Sequence, residues 1–227
     1  MKRFRIFLPL LCLVCLGLRA EAASVALTFD DGPSPLTKEL LAILDRENVP
    51  ATFFLNGYRI EEYPDACALL RGTRHELAIH GYSHGYMHRM TAEELTEEIA
   101  STRLLIMEAT GKDPVLLRPP GGLSCCGVTE EAARQGLPII LWSVDPEDWR
   151  RGNTAKYVTD FVLSETHGGD VILLHDLDRR TVEALPEIIC GLRERGFAFR
   201  TVSGLAAEAG VALLPGVSYC RISSKAP

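Results

Sequence analysis

Thr28-Phe29-Asp30-Asp31-Gly32 sets two adjacent carboxylates at the end of an apolar run, Val25-Ala26-Leu27. Side chains alternate between the two faces of a strand, so Asp30 and Asp31 are free to do different work. One can ligate a metal while the other takes a proton. Alone, Asp-Asp-Gly is also ordinary turn chemistry. His80-Gly81-Tyr82-Ser83-His84 adds two imidazoles four residues apart. On a helical turn following a strand they would face one way and chelate a divalent cation. An isolated pair is better explained as a histidine-rich surface loop, with His75 and His88 nearby. Asp31 changes that balance: two His and one Asp make three protein ligands and leave positions open for water and substrate.

Arg118-Pro119-Pro120-Gly121-Gly122 puts a permanent cation ahead of a stiff turn. It reads either as a surface arginine before a proline-rich loop or as a partner that holds Asp30 as a base. The glycines would let a backbone N–H approach a developing oxyanion. Asp145-Pro146-Glu147-Asp148-Trp149 joins carboxylates to a large aromatic, which serves either in packing or as a flat wall for a sugar ring or acyl methyl. Leu173-Leu174-His175-Asp176 closes an apolar run with a histidine. A lone histidine there is more often structural; beside an acidic partner it is a general acid near neutral pH.

Alternating segments must bring these clusters together. Apolar runs at 25–29, 51–55, 77–80, 115–118, 138–144, 170–174 and 197–202 read as short buried strands. Helical patterns lie between them. One opens at Ser34-Pro35 and carries Leu36, Leu40, Leu41 and Leu44; another runs from the capping box at Thr91 to Gly111. Others fit 60–71, 129–136, 154–166, 181–195 and 203–209. Serial βα units predict an α/β fold, a distorted or incomplete barrel of about seven parallel strands. Each polar cluster follows a strand, and in such a barrel all those strand ends share one rim.

The segment 1–22 reads as an export signal: Lys2, Arg3 and Arg5, then an apolar run from Ile6 to Leu18, then Ala20-Glu21-Ala22 as a cleavage site. The run is shorter than the roughly 20 residues of a spanning helix. The expectation is a secreted or cell-envelope protein without stable membrane insertion after cleavage, its catalytic domain at 23–210 and a C-terminal tail at 211–227. The formal net charge of −6 becomes more negative once 1–22 is set aside, which argues against nucleic acid as a partner. A monomer is expected. Five cysteines remain beyond the leader, an odd number with no compact framework; a Cys190–Cys220 bridge is left open.

Taken in order, the five clusters resemble the five motifs of the NodB-type polysaccharide deacetylases, the family-four carbohydrate esterases, across about residues 24–205. The matches are TFDDG at Thr28–Gly32, H-x-x-x-H at His80–His84 and R-P-P-x-G at Arg118–Gly122. D-x-x-D-W lies at Asp145–Trp149 and L-x-H at Leu173–His175. The resemblance implies that Asp31, His80 and His84 hold a divalent metal, zinc before cobalt, and that Asp30 is the base, tethered by Arg118. It implies a Gly121 N–H donor to the oxyanion and His175 as the acid, oriented by Asp148 in preference to Asp145. Trp149 and Leu173 would line the pocket for the acetyl methyl. The implied substrate is an N-acetylated polysaccharide, peptidoglycan or chitin-like. Alternatives are an O-acetyl ester as on xylan, a small cyclic amide, or a non-catalytic glycan-binding barrel. The chain departs from the family pattern in three places. Gly121 stands where an aromatic is usual, Gly81 replaces a hydroxyl residue, and Leu123-Ser124-Cys125-Cys126 brings thiols close to the third motif.

Overall fold

The computed structural model describes residues 23–223, so the expected leader lies outside them. Strand β1 (Ser24–Gly32) is the hub. One of its edges pairs with β5 (Val171–His175). The other is shared by β6 (Ala198–Arg200) near its start and β2 (Thr52–Leu55) near its end, all parallel. Beyond β2 lies β3 (Glu76–Ile79), also parallel. The ring closes through single bridges, Ile79 with Leu117, Leu117 with Ile139, and Val144 with Ile172. The result is a distorted parallel α/β barrel.

Several expected strands are shorter than their apolar runs: 197–202 keeps only β6, with Val202 passing into the next helix, and two others shrink further. The stretch 115–118 is one bridge at Leu117, and 138–144 is β4 (Ile139–Ile140) plus a bridge at Val144. Pro114, Pro119, Pro120 and Pro138 flank these stretches and have no N–H for a ladder. Residues past 210, expected as a tail, return to the domain. Among them β7 (Ser218–Tyr219) pairs with β4 and Ile222 is buried.

The helices are α1 (Thr37–Arg46), α2 (Gly57–Glu62), α3 (Pro64–Ala68), α4 (Ala92–Thr110), α5 (Cys126–Arg134), α6 (Ala155–Glu165), α7 (Arg179–Glu194) and α8 (Val202–Ala209). The helix expected over 60–71 is broken into α2 and α3 at Pro64, with Tyr63 off helical geometry at φ −127° and ψ 59°. The capping box is as expected: Thr91 Oγ1 accepts from the Glu94 N–H, and the Glu94 carboxylate accepts from the Thr91 N–H.

Beneath the unbroken apolar runs lies a period of two. Val25, Leu27 and Phe29 join Phe53, Leu55, Leu77, Ile79, Ile172 and Leu174 in the larger core between the ring and its outer helices. The intervening residues face a second, smaller core: Ala26, Phe54, Ala78, Leu116, Ile140 and Val171, closed at one end by Val202, Leu205 and Ala206 of α8. Two residues on from these inward positions come Thr28 and Asp30, His80, Arg118, Trp142, and Leu173 with His175. The polar residues of the site are thus the last members of inward-facing series, at the C-terminal ends of parallel strands.

Candidate active site

Asp31, His80 and His84 offer one ligand atom each, all within 4.8 Å of one another. Asp31 Oδ1 lies 3.4 Å from His80 Nε2 and 3.1 Å from His84 Nε2. That oxygen is buried between the two imidazole nitrogens, an arrangement of donor atoms that suits a cation. His80 Nδ1 donates to the Arg118 carbonyl at 2.7 Å, so its Nε2 carries the lone pair toward the cluster. Burial works against the Asp31 charge, but the two imidazoles outweigh it and hold the carboxyl far below its ordinary value. His84 is raised in return by its hydrogen bond to Asp31. Two imidazoles and a carboxylate fit a divalent transition metal.

The two histidines are not on a helical turn. Gly81 at φ +80° and His84 at φ +58° turn the chain into the left-handed region instead. Asn56 Nδ2 donates to the carbonyls of His80 and Gly81 from one side. From the other, the Glu98 carboxylate of α4 accepts the Tyr82 N–H at 2.7 Å and the Ser83 N–H at 3.0 Å, and also the Ser83 hydroxyl. A Cβ at Gly81 would stand 2.7 Å from Met87 Cε and 3.0 Å from Glu98 Oε2. A side chain there is strained by φ +80° and crowded first by Met87 and then by the carboxylate that ties down the loop. Glu98 has no sequence signal, because its partners are two backbone amides and a hydroxyl fifteen and sixteen residues earlier. Glu98→Ala is expected to weaken cobalt binding about 10- to 100-fold. Calorimetric titration of the metal-free protein checks this.

Arg118 is fully buried and spans the barrel mouth. Its Nη1 donates to Asp30 Oδ1 at 2.7 Å and to Thr28 Oγ1 at 2.8 Å. Its Nε and Nη2 donate to the carbonyls of Ile140 and Leu141, and the guanidinium stacks 4.0 Å from the Phe54 ring centroid. Burial disfavours the guanidinium charge; the Asp30 carboxylate opposes that. Asp30 Oδ2 points the other way, 3.7 Å from His80 Nε2.

His175 stands opposite Asp30 in the β1–β5 register. Its Nδ1 donates to Asp148 Oδ1 at 2.7 Å. Asp148 is fully buried and also accepts the His175 N–H, the Trp149 N–H and the Thr181 hydroxyl. Asp145 is turned to its own loop, accepting the Glu147 N–H, and burial raises its carboxyl pKa. The carboxylate on His175 is therefore Asp148, with Thr181 a support that the sequence does not signal. Burial lowers the imidazole pKa, but Asp148 more than reverses that, and the group is pushed up to about 9. A folded value above the ordinary 6.5 means the pair stabilises the fold fully below pH 6.5 and loses that contribution as pH rises through about 9. Asp148→Asn is expected to drop the His175 pKa by at least about one unit. NMR titration of the imidazole in the metal-free protein reads it directly.

The polysaccharide deacetylase family model matches residues 18–140, over half of the chain. The chain belongs to that family. Peptidoglycan-N-acetylmuramic acid deacetylase PdaC of Bacillus subtilis is 37% identical over 183 residues, which cover 80% of this chain and 38% of the relative. The chain thus spans under two-fifths of that longer protein. A peptidoglycan-N-acetylglucosamine deacetylase of Bacillus cereus is 36% identical over 187 residues, 80% of this chain and 87% of the relative. Among solved structures, a family 4 acetyl xylan esterase from Clostridium thermocellum in complex with a cobalt ion superposes with a TM-score of 0.82. It is 31% identical, over 87% of this chain and 98% of that one. The family is metal-dependent, in keeping with the Asp31, His80 and His84 cluster.

This deacetylase fold gathers the remaining residues around one cleft of about 500 Å³. Asp30, Asp31, His80, His84 and His175 line it together with Gly121, Trp142, Asp145, Trp149, Leu173 and Tyr86. Of the residues expected to bind metal, act on substrate or line the pocket, all but Arg118 and Asp148 face it; those two lie behind Asp30 and His175. Tyr86 and Trp142 are the lining residues that the motifs leave out. Cys125 and Cys126 sit at the start of α5 and do not line the cleft. The five cysteines among the described residues are free thiols, Cys190 and Cys220 included.

Proposed function

We propose that the chain removes N-acetyl groups from an amino sugar polymer of the cell envelope, peptidoglycan or a chitin-like glycan, with zinc as the ion at Asp31, His80 and His84. The observation that carries this reading is the register pairing of Asp30 with His175, a base and an acid facing the cleft that the metal ligands face. When bound, the metal supplies Lewis-acid polarisation of the acetamide carbonyl and acidifies the attacking water.

Asp30 is held at Oδ1 by Arg118 and takes the water proton on Oδ2. As the carbonyl carbon becomes tetrahedral, charge grows on its oxygen, and the Gly121 N–H donates to it. An amide nitrogen leaves poorly until it is protonated. His175, imidazolium up to about pH 9, gives it the Nε2 proton while Asp148 steadies Nδ1. The C–N bond then breaks, releasing acetate and a free amine. Leu173 and Trp149 wall the acetyl methyl, and Asp145 lines the same side. A single chain supplies every one of these groups.

An acetate-release screen across peptidoglycan, chitin oligomers and acetylated xylan, with and without added zinc, tests the reading. Zinc-dependent release from an N-acetylated polymer is expected. Release from acetylated xylan alone would make the chain an esterase, and release from none would leave a glycan-binding barrel.

A further inference from the structure

Tyr86 leaves 53% of its surface to solvent although it is a large aromatic beside a preformed site. Its position is nonetheless fixed. It opens a 3-10 turn at Met87–Arg89, whose Arg89 N–H returns to the Tyr86 carbonyl at 2.9 Å and whose Met87 is buried. The Arg89 guanidinium lies 5.2 Å from the ring centroid, and the His88 ring 5.7 Å away. Its ring edge occupies the space in front of Gly121: a Cβ there would lie 3.4 Å from Tyr86 Cε1. Gly121, at φ +70°, disfavours any side chain, and the Tyr86 ring stands within van der Waals contact of the place a Cβ would take. Trp149 lines the same cleft and is exposed to a similar extent, 54%, with its backbone N–H donating to Asp148.

An exposed ring that is held in place costs little entropy to use, because it need not be ordered on binding. A pyranose ring offers an apolar C–H face to such a ring and keeps its hydroxyls in water. We propose that Tyr86 is the platform on which this enzyme seats a sugar ring beside the acetamide-binding end of the cleft, so that it selects chains of sugars over isolated acetyl groups. The proposal rests on the reading of the chain as a glycan deacetylase. Tyr86 comes from the loop after the second histidine, so the metal-ligand loop and the platform form one continuous segment, His84-Gly85-Tyr86.

Steady-state kinetics of the zinc-loaded protein on soluble chitin oligomers and on peptidoglycan glycan fragments test this, with Tyr86→Ala and Tyr86→Phe beside the parent. Stacking predicts that Tyr86→Ala raises KM about tenfold with kcat within about twofold, and that Tyr86→Phe, which keeps the ring, stays close to the parent. Zinc content and thermal midpoint of both variants are recorded, and Tyr86→Leu replaces Tyr86→Ala if the latter is unfolded. If the parent releases acetate and Tyr86→Ala has the same KM, or loses kcat with KM unchanged, the platform is overturned while the deacetylase reading stands. If the parent releases no acetate from either N-acetylated glycan, both fall together.

Discussion

Asp30→Asn is expected to lower acetate release at least about a thousandfold, within the range in which general bases contribute. The substitution keeps the size of the side chain and an oxygen that can still accept from Arg118. It removes the site that takes a proton. Metal binding should fall much less, because the three ligand atoms belong to Asp31, His80 and His84. A stability loss is also expected. Arg118 is fully buried and Asp30 is its closest carboxylate, at 2.7 Å. Breaking a buried pair from one side costs about 3–5 kcal/mol. The thermal midpoint should therefore drop, and the kinetics belong at a temperature where circular dichroism shows the variant folded. A folded, metal-loaded Asp30→Asn protein that deacetylates at the parent rate would remove Asp30 from the base role.

His175→Ala should separate the two leaving groups that the cleft could meet. An amine departing from carbon carries a lone pair of high basicity and needs a proton in the same step; an alcohol departing from an ester needs it less. The loss on an N-acetylated glycan is expected at about a thousandfold or more, and on an acetylated xylan or aryl acetate at least about tenfold smaller. Equal losses on both would mean that His175 does something other than protonate nitrogen, such as holding the floor of the cleft. The comparison also bears on the similarity to the Clostridium thermocellum esterase, since a chain built for esters would show little dependence on His175. The pH profile carries a second sign. The acid form of His175 is lost as pH rises through about 9, so an alkaline limb belongs to that group and should move down in Asp148→Asn.

Much of the site was legible because its residues end inward-facing strand series. Ala26-Thr28-Asp30, Ala78-His80 and Val171-Leu173-His175 each run two residues at a time from the small core to the cleft, and Leu116-Arg118 ends just behind it at Asp30. A polar group at the end of an apolar run is visible in a sequence, and a parallel barrel sends all such ends to one rim. What was not legible depends on contacts between distant segments. The loop at His80–His84 departs from a helical turn because Asn56 and Glu98 grip its carbonyls and amides from two other elements. The preference for Asp148 over Asp145 is decided only by the contact of its carboxylate with His175, and Thr181 on α7, which adds a hydroxyl to the same carboxylate, leaves no sequence signal. The pairing of β7 with β4 is only two residues long, too short to leave a periodic signal. Tyr86 looks like any loop tyrosine until Gly121 is seen in front of it.

The central claim is that a cation held by Asp31, His80 and His84 is what makes Asp30 and His175 a working pair. It is tested most directly by assaying acetate release from an N-acetylated glycan after the metal has been stripped with a chelator, and again after zinc is returned in equimolar amount. The expected result is no release from the stripped protein and recovery on adding zinc, with no recovery in His80→Ala. Acetate released at the full rate by protein free of metal would contradict the account.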